Sequence, residues 1–433
     1  MQKKTILQID AVFVCEITKI FLKSTTLLGL FFQITQKFCI FVGNLTHLNI
    51  KKQNKSYKTM RFSISSTALN SKLNILSKVI SPKNSISILE CFLFEVQDGK
   101  LILTASDNSN MMKCTVDLNE HDVNGSFCVP NRIMLTAVKE LADQPLVFDV
   151  NLDDCSIQMN YQNGSYKIYG QKADEYPRLK TLEGEATTTT IPAEVLANNI
   201  NRTIFATAQD ELRMVMNGLY FDLTEDYMAI VASDGHKLVR NRIYSCKTEI
   251  PSSFILPKKP ANLLRSVLGS GDYDVTISFN QTNAEIHFAD GMLSCRLIEG
   301  RYPNYNSVIP KDNPNTLTLD RKALVSAIRR VMPFASESTQ LIKLRLEFNT
   351  LEINAEDHDF ATSARETIAC EYGGMPMSIG FKGGALYEIC NNISSDDIII
   401  ELADPGRAGL ISPAQQPEGE DILMLIMPML LND

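Results

Sequence analysis

With 433 residues, 44% of them hydrophobic and 21% charged, the chain has apolar material for several ordinary domains and lies far from the composition of disordered proteins. Its formal charge of −8 excludes a protein that coats nucleic acid with its whole surface, while leaving room for a local basic lining. Cysteines at positions 15, 39, 91, 114, 128, 155, 246, 295, 370 and 390 form no C-x-x-C pair, which removes zinc-ribbon and thioredoxin-type readings and suits reduced, mostly buried thiols in a cytoplasmic protein.

Residues 1–59 differ from the rest, being rich in Phe, Ile and Leu and ending in the polar run Lys51-Lys52-Gln53-Asn54-Lys55. Their uncharged stretches are short of the roughly 20 residues needed to cross a bilayer, and no small-residue cleavage site follows a clean apolar core. They are expected to be an N-terminal extension outside the fold, spurious or disordered, with Met60 as the start of the patterned chain.

From Met60 the elements follow in a repeating order. The spacing of Leu69, Leu73, Leu76, Val79 and Ile80 predicts a helix over 65–80. Alternation predicts strands over 86–96 and 100–106 around the turn Gln97-Asp98-Gly99. Val129-Pro130-Asn131 predicts the start of a second helix, 132–141, followed by strands over 146–151, 156–161 and 166–170. The second copy predicts a helix over 192–207, strands over 218–223 and 227–234, a helix start at Leu256-Pro257-Lys258 and strands from 274 to 297. The third predicts a helix over 321–334, strands over 344–348 and 350–356, a helix near 384–392 and strands over 397–402 and 422–428.

Ala105-Ser106-Asp107, Ala232-Ser233-Asp234 and Ala355-Glu356-Asp357 each close a second strand, at spacings of 127 and 123 residues. A period of that length is one supersecondary unit repeated three times. The expected organisation is three α+β domains, 60–184, 185–312 and 313–433, each with two helices on one side of an antiparallel sheet.

Basic residues concentrate in the helical segments and the loops leading into them, including Arg61, Lys72, Lys78 and Lys382, against few acidic ones: Glu140, Glu194, Asp320 and Glu388. If three units sit in an arc with helices inside, the arc is positive within, which attracts phosphates without reading bases. No G-x-x-x-x-G-K-[ST] loop is present, Gly269-Ser270-Gly271 does not substitute for one, and histidines 47, 121, 236, 287 and 358 form no H-x-x-x-H pair. The run Glu356-Asp357-His358-Asp359 is expected to be a solvated turn rather than a metal site. No catalytic residue, cofactor or metal is expected.

Asn217-Gly218, Ala232-Ser233-Asp234-Gly235-His236-Lys237-Leu238, Leu256-Pro257-Lys258-Lys259, Gly300-Arg301-Tyr302-Pro303-Asn304-Tyr305, Val308-Ile309-Pro310 and Met427-Pro428-Met429 together resemble the bacterial DNA sliding clamp, the beta subunit of DNA polymerase III. The similarity runs in order from Met60 to the C-terminus. It implies a non-catalytic processivity factor: a head-to-tail homodimeric ring around double-stranded DNA that tethers the polymerase III catalytic subunit, the clamp loader and other proteins bearing a clamp-binding motif, with no membrane partner. By resemblance, the partner-peptide cleft comprises Arg213, Met216, Ser233, Gly235, His236, Leu238, Pro303, Val308, Leu425, Met427, Pro428 and Met429. The implied DNA contacts are Lys83, Arg132, Lys139, Arg202, Lys258, Lys259, Arg265, Arg321, Lys322, Arg329 and Arg330.

Some positions depart from the family pattern. Ser307 and Leu430 stand where arginines are common, so the cleft is less basic, and Met214 and Val215 stand where some relatives carry aromatic DNA contacts. The alternative is a clamp-like scaffold that binds peptides or DNA without forming a loaded ring.

Overall fold

The computed structural model describes residues 59–82, 86–178, 182, 184–269 and 271–431. The expected N-terminal extension, apart from Thr59, and Lys83 lie outside them.

Each unit is built from two passes of strand, helix and three strands. The first unit runs β1 (Thr59–Ser65), α1 (Ser66–Ser77), β2 (Cys91–Gln97), β3 (Lys100–Ser106), β4 (Asn110–Asp117) and β5 (Glu120–His121). It continues with β6 (Gly125–Pro130), α2 (Asn131–Lys139), β7 (Pro145–Asn151), β8 (Ser156–Tyr161), β9 (Gly164–Tyr169) and β10 (Gln171–Lys172). The second unit has β11 (Thr187–Pro192), α3 (Ala193–Thr203), β12 (Gly218–Leu223), β13 (Met228–Ser233), β14 (Lys237–Ile243), then β15 (Ser252–Pro257), α4 (Lys258–Val267), β16 (Asp274–Phe279), β17 (Asn283–Phe288) and β18 (Gly291–Arg296). The third has β19 (Asn315–Asp320), α5 (Arg321–Val331), β20 (Leu341–Glu347), β21 (Thr350–Asp357), β22 (Thr362–Ala369) and β23 (Glu371–Tyr372). Its second pass is β24 (Met377–Lys382), α6 (Gly383–Asn391), β25 (Asp397–Leu402), β26 (Gly409–Pro413) and β27 (Glu420–Ile426).

Capping chemistry sets where the helices begin. Ser65 and Asp320 accept the amides of Ala68 and Ala323, satisfying donors that the first turns of α1 and α5 leave open. At α2, α3 and α4 the preceding residue is Pro130, Pro192 or Pro257, whose fixed φ of −56°, −57° or −60° turns the chain from strand to helix without a side-chain cap. Apolar stripes such as Leu69-Leu73-Leu76 and Leu324-Ala327-Ile328-Val331 are buried and join the main core.

The sheets cross the unit boundaries. Their strand orders are β5-β1-β7-β8-β9, then β10-β6-β2-β3-β4-β18-β17-β16-β11, then β15-β12-β13-β14-β27-β26-β25-β19-β23, and last β22-β21-β20-β24. The two nine-stranded sheets are therefore shared, joined antiparallel at β4–β18 (Met112 opposite Leu293) and β14–β27 (Leu238 opposite Leu425). The antiparallel sheets expected for the units thus continue into one another: a strand at the edge of one unit finds its hydrogen-bonding partner in the next.

Strand alternation gives each sheet two environments. On β13, Met228, Ile230 and Ala232 belong to the large core that also holds the helical stripes, whereas Ala229 and Val231 belong to a second apolar cluster. That cluster takes Leu238 from β14, Ile255 from β15, Leu410 from β26 and Leu425 from β27, so it lies on the sheet face away from the helices.

Several expected bounds shift. The stretch expected as strand from 86 begins as a 3-10 turn, Ser87–Glu90, and the strand starts at Cys91. The long helices expected over 192–207 and 321–334 end in 3-10 turns, Ile204–Ala206 and Met332–Phe334. The last strand, expected over 422–428, ends at Ile426: Met427 N still donates to the His236 carbonyl, and Pro428 has no N–H with which to continue the ladder. The eight described cysteines are all buried and unpaired. Burial pushes the thiols of Cys114, Cys128, Cys295 and Cys390 up to about 12, which keeps them protonated and unreactive.

Candidate DNA-facing helices and partner-peptide cleft

All the described DNA candidates lie on α2 to α5. Arg132 and Lys139 sit at opposite ends of α2, Arg202 near the end of α3, Lys258, Lys259 and Arg265 on α4, and Arg321, Lys322, Arg329 and Arg330 on α5. Their partners divide them. Lys259 donates to Asp107 (2.5 Å) and to the Val79 carbonyl (2.6 Å), tying α4 to the first unit. Arg202 donates to Glu420 at 2.6 Å, with both side chains mostly buried, tying α3 to the third unit. Arg321 donates to the Ser395 carbonyl (2.8 Å), Lys322 makes an exposed pair with Asp396 (3.2 Å), and Arg330 pairs with Glu366 on β22. Among the described residues, Arg132, Lys139, Lys258, Arg265 and Arg329 form no ion pair, and of these all but the half-buried Lys258 are exposed.

In the first two units the turn after the second strand positions a carboxylate at a unit junction. Burial raises the Asp107 carboxyl, but Lys259 and the amides of Ser109 and Asn110 outweigh it and hold the group below the usual carboxylate range. The same balance lowers Asp234: burial opposes, while Lys237 and the amides of His236 and Lys237 prevail. Lys237 also reaches Glu388 on α6 at 3.2 Å.

The cleft candidates gather around this second turn. Met216, Leu238 and Leu425 pack into the outer apolar cluster with Tyr302 and Tyr305. Tyr220 and Tyr302 stack at 4.6 Å, and Tyr305 Oη donates to Asp222 at 2.7 Å, forming an aromatic wall beside Pro303. That wall bounds a cavity of about 630 Å³. Ser233 Oγ donates to the Lys237 carbonyl (2.9 Å) and accepts from Gly235 N (3.1 Å), closing the tight turn that carries His236. Arg213 donates to Asp210 (3.0 Å) and to the Asp234 carbonyl, so its guanidinium is fixed over Gly235.

Met427 N donates to the His236 carbonyl at 2.8 Å, bringing the Met427-Pro428 segment to the same hairpin, and its side chain is 44% exposed. Val308 is 55% exposed at the end of the 3-10 turn after Tyr305. Met429 is directed elsewhere: its amide donates to Gly380 on β24 (2.8 Å), and it lines a cavity of the third unit with Leu430, Leu431 and the 356–359 turn. Sequence reasoning did not single out Tyr220, Tyr302, Tyr305 or Leu410 as site residues. The motif Gly300-Arg301-Tyr302-Pro303-Asn304-Tyr305 carried the signal for two of them. Asp107 and Asp234 were noted as landmarks of the repeat, and their electrostatic role emerges only with the fold.

Among the described residues, no group of three or more His, Cys, Asp or Glu is arranged to hold a metal, and no helix is long and apolar enough to cross a membrane. Three units share sheets edge to edge, with the helical stripes on one face and the apolar cluster of Leu238, Tyr302 and Leu425 on the other, which is the architecture of the clamp class of proteins. Residues 60–180 match the family described as DNA polymerase III beta subunit, N-terminal domain, residues 190–304 its central domain, and residues 306–430 its C-terminal domain. The beta sliding clamp of Haemophilus influenzae is 26% identical over 373 residues, covering 86% of this chain and 100% of the relative. That of Pseudomonas aeruginosa is 25% identical over 376 residues, with the same coverage. The solved sliding clamp of Pseudomonas aeruginosa bound to griselimycin superposes with a TM-score of 0.81 at 24% identity, and the DNA polymerase III beta subunit of Thermotoga maritima with 0.78 at 24%. Both structures are covered in full and establish the fold. The chain belongs to the DNA polymerase III beta subunit family, the bacterial sliding clamps.

Proposed function

We propose that two copies of this chain close head to tail into a ring that encircles duplex DNA in the cytoplasm. The ring slides without reading sequence and tethers the replicative polymerase, the clamp loader and other proteins through a peptide in the outer cleft. The observation that carries this reading is the pattern of sheet edges. Six strands end the two passes of the three units: β4, β9, β14, β18, β22 and β27. Four pair with one another at the two internal junctions, and β9 and β22 are left as edges of sheets with five and four strands. A second copy, laying its β22 against β9, would complete nine strands, as at each internal junction. Since β9 and β22 lie on different surfaces, the contact is heterologous, and such contacts form closed rings when the rotation closes. An unpaired edge also invites association, so a stable chain needs it covered.

The cations of α2, α4 and α5 that form no ion pair support a lining for phosphates. Backbone contacts of this kind hold DNA without fixing register, and retention then comes from closure rather than from affinity. Met216, Leu238, Leu425 and Met427, with the tyrosine wall, suit an extended peptide carrying apolar anchors, and methionines let one groove accept several partners. No chemical step is assigned to the protein. Native mass measurement across concentration, with loading onto nicked circular DNA by the loader and ATP, tests the reading. Dimers retained on the circle support it. A persistent monomer that still binds peptide would favour the scaffold reading.

A further inference from the structure

The acidic turn after the second strand has the same construction in all three units. Asp107 Oδ1 accepts the amides of Ser109 (2.7 Å) and Asn110 (2.6 Å), and its Oδ2 accepts Lys259 Nζ at 2.5 Å. Asp234 Oδ1 accepts the amides of His236 and Lys237, both at 2.9 Å, and its Oδ2 accepts Lys237 Nζ at 2.9 Å. Asp357 Oδ1 accepts the amides of Asp359 (2.9 Å) and Phe360 (3.2 Å). Asp357 is only 8% exposed, yet among the described residues no lysine or arginine pairs with it. Asp357 also lines an open cavity, so its second oxygen can meet a cation brought from outside the chain.

The first unit shows where that cation comes from. Lys259 is the second residue of α4, just after the N-cap Pro257, and it crosses the junction to the preceding unit. The matching residue of α2, second after the N-cap Pro130, is Arg132, which is exposed and without an ion pair among the described residues. Its neighbour Ile133 is 55% exposed, whereas Pro260, the matching residue of α4, is buried. Phe360, beside the Asp357 turn, is 78% exposed. Both halves of a junction are thus present in one chain, at its opposite ends.

We propose that Arg132 forms an ion pair with the partner's Asp357 across each ring interface, flanked by Ile133 and the partner's Phe360. This assigns Arg132 to ring closure rather than to the DNA lining, and it rests on the head-to-tail reading. The pair repeats the Asp107–Lys259 contact between protomers, and it fixes orientation because the turn of the third unit has its counter-charge only on the first unit of another copy.

The test is a double-mutant cycle on the full chain, with Arg132→Gln, Asp357→Asn and the combination, reading the monomer–dimer equilibrium by sedimentation and mass photometry. Asn at 357 keeps an acceptor for the two turn amides, and Arg132 is exposed, so R132Q alone decides if D357N folds poorly. Each single change should weaken the dimer about fivefold or more, and the double should be no weaker than the worse single, as for coupled charges at an interface. A dimer unaffected by R132Q, or losses that simply multiply, would overturn the ion pair while leaving the ring intact. Failure of the unmodified chain to dimerise at any concentration would instead remove the ring reading, and the pair with it.

Discussion

At Gly235 a single backbone angle shapes the hairpin turn that carries His236, at the centre of the candidate cleft. Its φ of +86° is open to glycine at little cost, and a Cβ there would stand 2.9 Å from Arg213 Nη1. Gly235→Ala should cost about 1 kcal/mol or more in stability and should weaken peptide binding, because the strain falls on the hairpin that carries His236. Thermal melts and anisotropy with a labelled polymerase-derived peptide check both effects, and unchanged melting would mean the turn relaxes freely. Met427 is half exposed and hydrogen-bonded to that hairpin, so Met427→Ala should reduce peptide affinity about tenfold with the dimer intact. The candidate cleft was legible mainly as a series of motifs, each weak and together ordered. Its aromatic wall was less so, because Tyr220, Tyr302 and Tyr305 meet only when residues some eighty positions apart fold together. Met429 illustrates the opposite limit: two residues from Met427 in sequence, it is drawn to β24 by a backbone hydrogen bond that no side-chain pattern announces.

At the element scale, helices and hairpins with strong apolar periodicity were legible, and strands at the junctions were not. The sequence TSARETIA of β22 is polar at most positions, and its edge is left for pairing rather than for a core. Strands β4 and β14 find their neighbours near residues 293 and 425, beyond the reach of any local pattern. Junctions are also where ion pairs act. Because the folded Asp107 carboxyl lies below its ordinary value of about 3.9, its contribution is fully present above that pH and is lost as pH falls through the lowered folded value. Asp107→Asn should therefore cost about 1–2 kcal/mol near neutrality and flatten the loss of stability in acid. Denaturant unfolding followed from neutral pH down to about pH 3 reads this directly, and parallel curves for variant and parent would remove the pair from the account.

Over the whole molecule, the acidic total charge conceals a division between helices on which Arg132, Lys139, Arg265 and Arg329 form no ion pair among the described residues and a sheet face carrying the second apolar cluster. Neutralising Arg265 or Lys139 should shorten residence on DNA equally for any sequence and lower the salt slope by about 0.9 per charge. A sequence-dependent loss would instead imply base contacts. The three-unit organisation was visible in the period of the Ala-x-Asp landmarks, but sharing of sheets between units was not, and it is the sharing that leaves β9 and β22 as sheet edges. The central claim is that a second copy covers those ends and traps DNA by topology. Retention on nicked circular DNA before and after linearisation tests it most directly. Dimers held on the circle and released when it is cut are the predicted result, and retention that is equal on circular and linear DNA would contradict it.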